Sequence, residues 1–206
     1  MIMNYPLNTV FILILISSFL CTILSLVSLQ IAPFLKLMDI PGSAVHKIHK
    51  KPTPITGGIV LILNLTIISI LFLSENLQSI QGILLGAWII FFFGLLDDYY
   101  NLPAGVKLLG QITAVAVLIN MGIQIHILDS PEFIFHFANM SDRWINIGLT
   151  TLWILVLTNA FNFIDSIDGL AIGLGTLSIA FYLIISLESM QFDIVYLCAI
   201  LLGITV

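Results

Sequence analysis

Of the 206 residues, 60% are apolar and only 8% charged, with a mean hydropathy of +1.17. A soluble domain carries roughly 25% charged residues, so this composition excludes a water-facing globule and turns most of the surface towards lipid. The net charge of −5 says little about partners, and the lack of a basic run gives the expectation of no nucleic-acid partner.

The first apolar run, from about Val10 to Leu35, follows no Lys or Arg and has no small-residue cleavage site. It exceeds a signal-peptide core in length and reads as a membrane span. Crossing the bilayer core takes about 20 apolar residues. Six stretches meet this, at about 10–32, 57–74, 80–96, 106–121, 147–163 and 170–187. A seventh begins near Ile194 and reaches Val206 without a flank, which gives the expectation of a fragment of a longer protein. The predicted fold is an all-α polytopic membrane protein with six to seven transmembrane helices, residues 1–206 forming a single integral membrane domain. Cys21 and Cys198 lie inside apolar runs and read as packing residues rather than a disulfide framework.

Charge sets the predicted orientation. Lys36, Lys47, Lys50 and Lys51 follow span 1, Lys107 follows span 3, and Arg143 alone falls in a loop of the other parity. The positive-inside rule then puts the N-terminus outside and the loops after spans 1, 3 and 5 in the cytoplasm. Of the outer loops, the one from about Gly122 to Asn146 alternates Ile123, Ile125 and Ile127, which predicts a short extracytoplasmic β-hairpin. Trp144 at its end has the character of an interfacial anchor. Asn64 and Gln111, within spans, are expected to hydrogen-bond to neighbouring helices.

The three cytoplasmic loops concentrate the polar chemistry. Loop one runs from Asp39 through His46, Lys47, His49, Lys50, Lys51, Pro52 and Pro54 to Gly57 and Gly58. It is a basic, turn-rich arm that suits phosphates, although plain positive-inside charge has the same composition. In loop two, adjacent Asp97 and Asp98 end an apolar helix. Their repulsion at a membrane boundary calls for a cation or a shared proton, and a hard divalent ion bound by carboxylates and phosphate oxygens is a natural partner. Lys107 opens the next span, where a short reversal would return its ammonium to them or to a phosphate. Loop three spaces Asn159, Asn162, Asp165 and Asp168 three apart. On a regular helix such a stripe drifts by about 60° per step, so a tighter or broken turn near Gly169 is needed to keep them together.

At these loops the sequence resembles the polyprenyl-phosphate N-acetylhexosamine-1-phosphate transferases. Asp39, Pro41, Lys47, His49, Pro52, Pro54, Gly57 and Gly58 match the first motif, with His46 where Arg is usual and about two extra residues after Pro41. Asp97, Asp98, Asn101, Leu102 and Lys107 match the second. Asn159, Asn162, Asp165, Asp168 and Gly169 match the third, with Ser166 in place of Gly. The Pro-Thr-Pro of loop one is closer to the sugar-1-phosphate branch than to the peptidoglycan branch. The resemblance implies a Mg²⁺-dependent transfer (Mn²⁺ serving in its place) of a sugar-1-phosphate from a UDP-N-acetylhexosamine, most simply UDP-GlcNAc, to undecaprenyl phosphate. UMP is released, and the step initiates cell-envelope polysaccharide synthesis in a bacterial cytoplasmic membrane. Asp97 and Asp98 are then the catalytic pair beside a metal site shared with Asn162. Lys107 holds the pyrophosphate, Asn159, Asp165 and Asp168 place the nucleotide, and Lys47 and His49 form a phosphate-facing arm. The resemblance further implies a whole fold of about ten or eleven transmembrane helices, whose later Gly-Asp motif and final His- and Arg-rich loop lie outside these residues. A homodimer is left open. The competing readings are a truncated non-catalytic relative and a polytopic transporter, which would place acids near mid-span.

Overall fold

The structure is a computed structural model that describes residues 7–35, 37–39, 53–73, 77–126, 139–167 and 169–205, with the side chains of 39, 77–78 and 139–142 excepted. Among the described residues seven helices run in chain order: α1 (Leu7–Ile31), α2 (Gly57–Phe72), α3 (Leu77–Tyr100), α4 (Ala104–Asn120), α5 (Asn139–Ile164), α6 (Leu170–Glu188) and α7 (Phe192–Thr205). They follow the predicted spans closely, because each is an uninterrupted apolar run broken by proline, glycine or a charged turn. Four are long and apolar enough to cross a membrane, those within α1, α3, α5 and α6, while α2, α4 and α7 are shorter apolar helices.

The exposure pattern is inverted relative to a soluble protein. Phe11 and Phe19 on α1 and Phe181 on α6 are all more than 60% exposed, whereas Ser17 and Asn64 are fully buried. A helix apolar all round and uncovered by protein, as α6 is at Ile172, Leu177, Phe181, Ile184 and Ile185, is stable only with lipid around it. The chain is an all-α multi-pass membrane protein.

Two compact units form, one from residues 1–74 with 172–206 and one from residues 75–171. In the first, α1 packs against α2 and α7. Lipid offers no hydrophobic drive between helices, so small and polar side chains hold them together. Ser17 Oγ donates to Ile200 O at 2.8 Å and contacts Asn64 Oδ1 at 3.1 Å, and Asn64 Nδ2 donates to Ser17 O at 2.8 Å. Three helices thus share one buried knot, with Asn64 bonded to a neighbouring helix as expected. Cys198 is buried and Cys21 partly so, both free. Strands β1 (Met38–Asp39) and β2 (Thr53–Pro54) pair antiparallel and clip the two ends of loop one together.

In the second unit α3, α4 and α5 form an up-down-up bundle. Phe93 of α3 lies so close to Gly110 of α4 that a Cβ there would fall into its ring. At the opposite end the predicted β-hairpin does not begin. Ile123–His126 carry no strand, and residues 127–138 lie outside the described residues. Over the described part, Ile123 N–H donates to Leu118 O at 2.9 Å and Ile125 N–H to Thr150 Oγ1 of α5 at 2.9 Å, so helices satisfy the backbone there.

Candidate functional site

The turn between α3 and α4 builds the site. Helix α3 runs about 30 Å from Leu77 to Asp97 at 1.5 Å per residue, so Asp97 and Asp98 sit at its C-terminal end, one bilayer-core thickness from its start. There Asn101 takes a left-handed conformation, φ 48°, which Asn tolerates better than other non-glycine residues. Leu102 N–H turns back to donate to Asp97 Oδ1 at 2.9 Å. Pro103, at φ −64°, starts α4, and its carbonyl accepts the N–H of Val106 and Lys107. This reversal returns Lys107 Nζ to 2.7 Å from Asp97 Oδ2, as the sequence predicted.

Each ion stands at an unfavourable helix terminus, an anion at the last turn of α3 and a cation at the first turn of α4. Helix dipoles penalise each by about 0.3–1 kcal/mol, and the pairing offsets this. Lys107 is 46% exposed, so the pair contributes at most about 1 kcal/mol to stability. Its effect is to fix the position of the two charges.

Helix α5 closes the other wall. Asp97 and Lys107 line an open cleft of about 110 Å³ together with Ile90, Phe93, Gly94, Gln111, Thr158 and Asn162. That space suits a phosphate group or a few waters. Asn159 stands behind the cleft: its Nδ2 donates to Gln111 Oε1 at 2.8 Å and to Leu155 O at 2.8 Å, and its Oδ1 accepts from Gln111 Nε2 at 3.4 Å. Helix α5 ends at Ile164, and the chain turns through Asp165 to Gly169, whose φ of 76° favours glycine. The broken turn expected at the third motif is therefore present. Among the described motif residues, Asn162 reaches the cleft while Asp165 is exposed in the turn. Asp98 is exposed at the end of α3. Asp168, Lys47 and His49 lie outside the described residues.

Sequence reasoning assigned Gln111 only to helix contact and did not single out Thr158. Gln111 is one helical turn beyond Lys107, and Thr158 one turn before Asn162, so i,i+4 spacing from the predicted residues was the signal. Among the described residues no three His, Cys, Asp or Glu side chains cluster around a metal position. Mg²⁺ needs no such cage, because it is held by one or two carboxylates plus substrate phosphates. The hard oxygens of Asp97 and Asn162, lining one cleft, fit that demand.

The model of glycosyl transferase family 4 matches residues 80–206, more than half of the chain and all of the cleft. A Bacillus subtilis protein named as a probable undecaprenyl-phosphate N-acetylglucosaminyl 1-phosphate transferase is 30% identical over 86% of this chain and 50% of its own length. The chain belongs to glycosyl transferase family 4. Other relatives of this family-4 chain are the decaprenyl-phosphate N-acetylglucosaminephosphotransferase of Mycobacterium tuberculosis and the phospho-N-acetylmuramoyl-pentapeptide-transferase of Enterococcus faecalis. The first is 33% identical over 64% of the chain and 34% of the relative, the second 29% identical over 79% of the chain and 53% of the relative. The family-4 chain thus spans from a third to about half the length of these relatives. No solved structure matches it with significance.

Proposed function

We propose that this chain carries part of the machinery that transfers a sugar-1-phosphate, most simply GlcNAc-1-phosphate, from a UDP-sugar to a polyprenyl phosphate. The observation that carries the reading is the cleft itself: one carboxylate, one ammonium and three neutral polar side chains meet where apolar helices end. A water-soluble nucleotide and the phosphate of a membrane lipid can both reach such a place. The names of the relatives support the same chemistry, and the positive-inside pattern favours a cytoplasmic position for it.

In the reaction a non-bridging oxygen of the lipid phosphate attacks the β-phosphorus of the UDP-sugar. The bond from that phosphorus to the oxygen bridging the two phosphates breaks, and UMP leaves with that oxygen. Such a step needs positioning and charge stabilisation more than covalent help. Lys107 binds the pyrophosphate. Asp97, held by Leu102 N–H, keeps Lys107 in place and with Asp98 orients the lipid phosphate. Asp97 and Asn162 would hold Mg²⁺, which when bound offsets the charge of the pyrophosphate.

The test uses membranes containing the complete product of the gene, with the 206-residue chain in parallel, and supplies sugar-labelled UDP-N-acetylhexosamines, polyprenyl phosphate and Mg²⁺. The expected outcome is a labelled lipid that falls roughly 100-fold or more with Asp98→Asn. The reading fails if no UDP-N-acetylhexosamine yields labelled lipid from the complete gene product.

A further inference from the structure

The Gln111–Asn159 pair has a direction, and a backbone atom sets it. Leu155 O can only accept, so the Asn159 amide must turn its Nδ2 towards it, and the 2.8 Å contact is N–H···O. The second Nδ2 hydrogen then faces Gln111, which must present Oε1, at 2.8 Å. The Gln111 amide is fixed in turn: one Nε2 hydrogen points to Asn159 Oδ1 at 3.4 Å. The other has no partner among the described residues and belongs to a side chain that lines the cleft with Lys107. The chain of bonds from a helix carbonyl through two amides ends in an N–H donor of set polarity. Gln111 stands one turn from Lys107 on the same helix, so donor and ammonium address the same space. Gly110, where Phe93 packs without a Cβ in the way, lets the two helices close at this level.

A donor beside a cation selects for an anionic oxygen. Resting on the function proposed above, we propose that Gln111 is a further binding residue of this cleft. It donates to a non-bridging oxygen of the nucleotide-sugar pyrophosphate next to Lys107, with Asn159 as the positioning residue that keeps it donor-outward. This moves Asn159 from contact with substrate to support of a residue that makes it.

Two substitutions separate this role from simple helix joining. Gln111→Met keeps the length of the side chain and removes the donor, and the KM for the UDP-sugar should rise roughly 10-fold or more. Gln111→Glu keeps an oxygen to accept from Asn159 Nδ2, so the tie between helices survives, but it turns a negative oxygen into the cleft. Its KM for the UDP-sugar should rise further, by about 100-fold, with the KM for prenyl phosphate within about two-fold and an unchanged elution profile in detergent. A helix-joining role predicts the reverse order, Gln111→Glu milder than Gln111→Met, and that order overturns the proposal. Transfer that is equal after Gln111→Glu overturns the inference alone. An unmodified complete protein that makes no labelled lipid overturns the reading on which the inference rests.

Discussion

At the residue scale, two polar groups in opposite surroundings separate by role. Asn64, fully buried in the Ser17–Ile200 knot, ties helices together. Hydrogen bonds between membrane helices average about 0.6 kcal/mol and reach about 1.7, so Asn64→Ala should lower the unfolding free energy in detergent by about 1–2 kcal/mol and leave the KM for the UDP-sugar unchanged. Because the side chains of Ser17 and Asn64 share one bond, adding Ser17→Ala should cost less than the sum of the two single changes, as denaturant titration would show. Lys107 is the opposite case: its 46% exposure makes it a minor contributor to stability, and Lys107→Ala should reduce transfer by roughly 100-fold with little change in thermal midpoint. The pairing of Lys107 with Asp97 was legible because both lie near one turn rich in Asn and Pro. The pairing of Gln111 with Asn159 was not, because the partners are 48 residues apart and a lone amide in an apolar run carries no local signature of where it points.

At the scale of elements, the helices were legible and the extended segments were not. An apolar run of about 20 residues has few alternatives to a membrane helix, since unpaired backbone polar groups in lipid are too costly. Helix α4, at 17 residues, was visible by the same reasoning despite falling short of a full span. Two-residue strands such as β1 and β2 leave no alternation to detect, and at Ile123 and Ile125 the backbone donors go to the end of α4 and to Thr150 rather than to a strand. What sequence could not give is how closely two helices approach. The α3–α4 contact depends on Gly110 facing Phe93. Gly110→Val should destabilise the protein by about 1–3 kcal/mol through overpacking and widen the cleft enough to impair transfer. Phe93→Ala in the same chain should restore part of the thermal midpoint, and a midpoint that falls further would show that the contact is not the cause.

For the whole molecule, parity is the strongest constraint that sequence supplied. Six reversals separate α1 from α7, so the two must run parallel, and the contacts Ser17–Ile200 and Cys21–Ile204 advance in the same direction along both helices. By the positive-inside rule, the distribution of Lys and Arg predicts a cytoplasmic α3–α4 turn, which labelling can test. In a chain with Cys21 and Cys198 replaced by alanine, Ser79→Cys should react with an impermeant maleimide in intact cells. Ala104→Cys should react only in inverted vesicles, and the converse labelling would reverse the orientation. Which bond breaks is read out with UDP-GlcNAc carrying ³²P in the β-phosphate, given to membranes with the complete gene product, polyprenyl phosphate and Mg²⁺. Under the proposed transfer the ³²P moves into the lipid fraction in step with the sugar while unlabelled UMP is released. Label that remains in UDP while the sugar alone reaches lipid would contradict it.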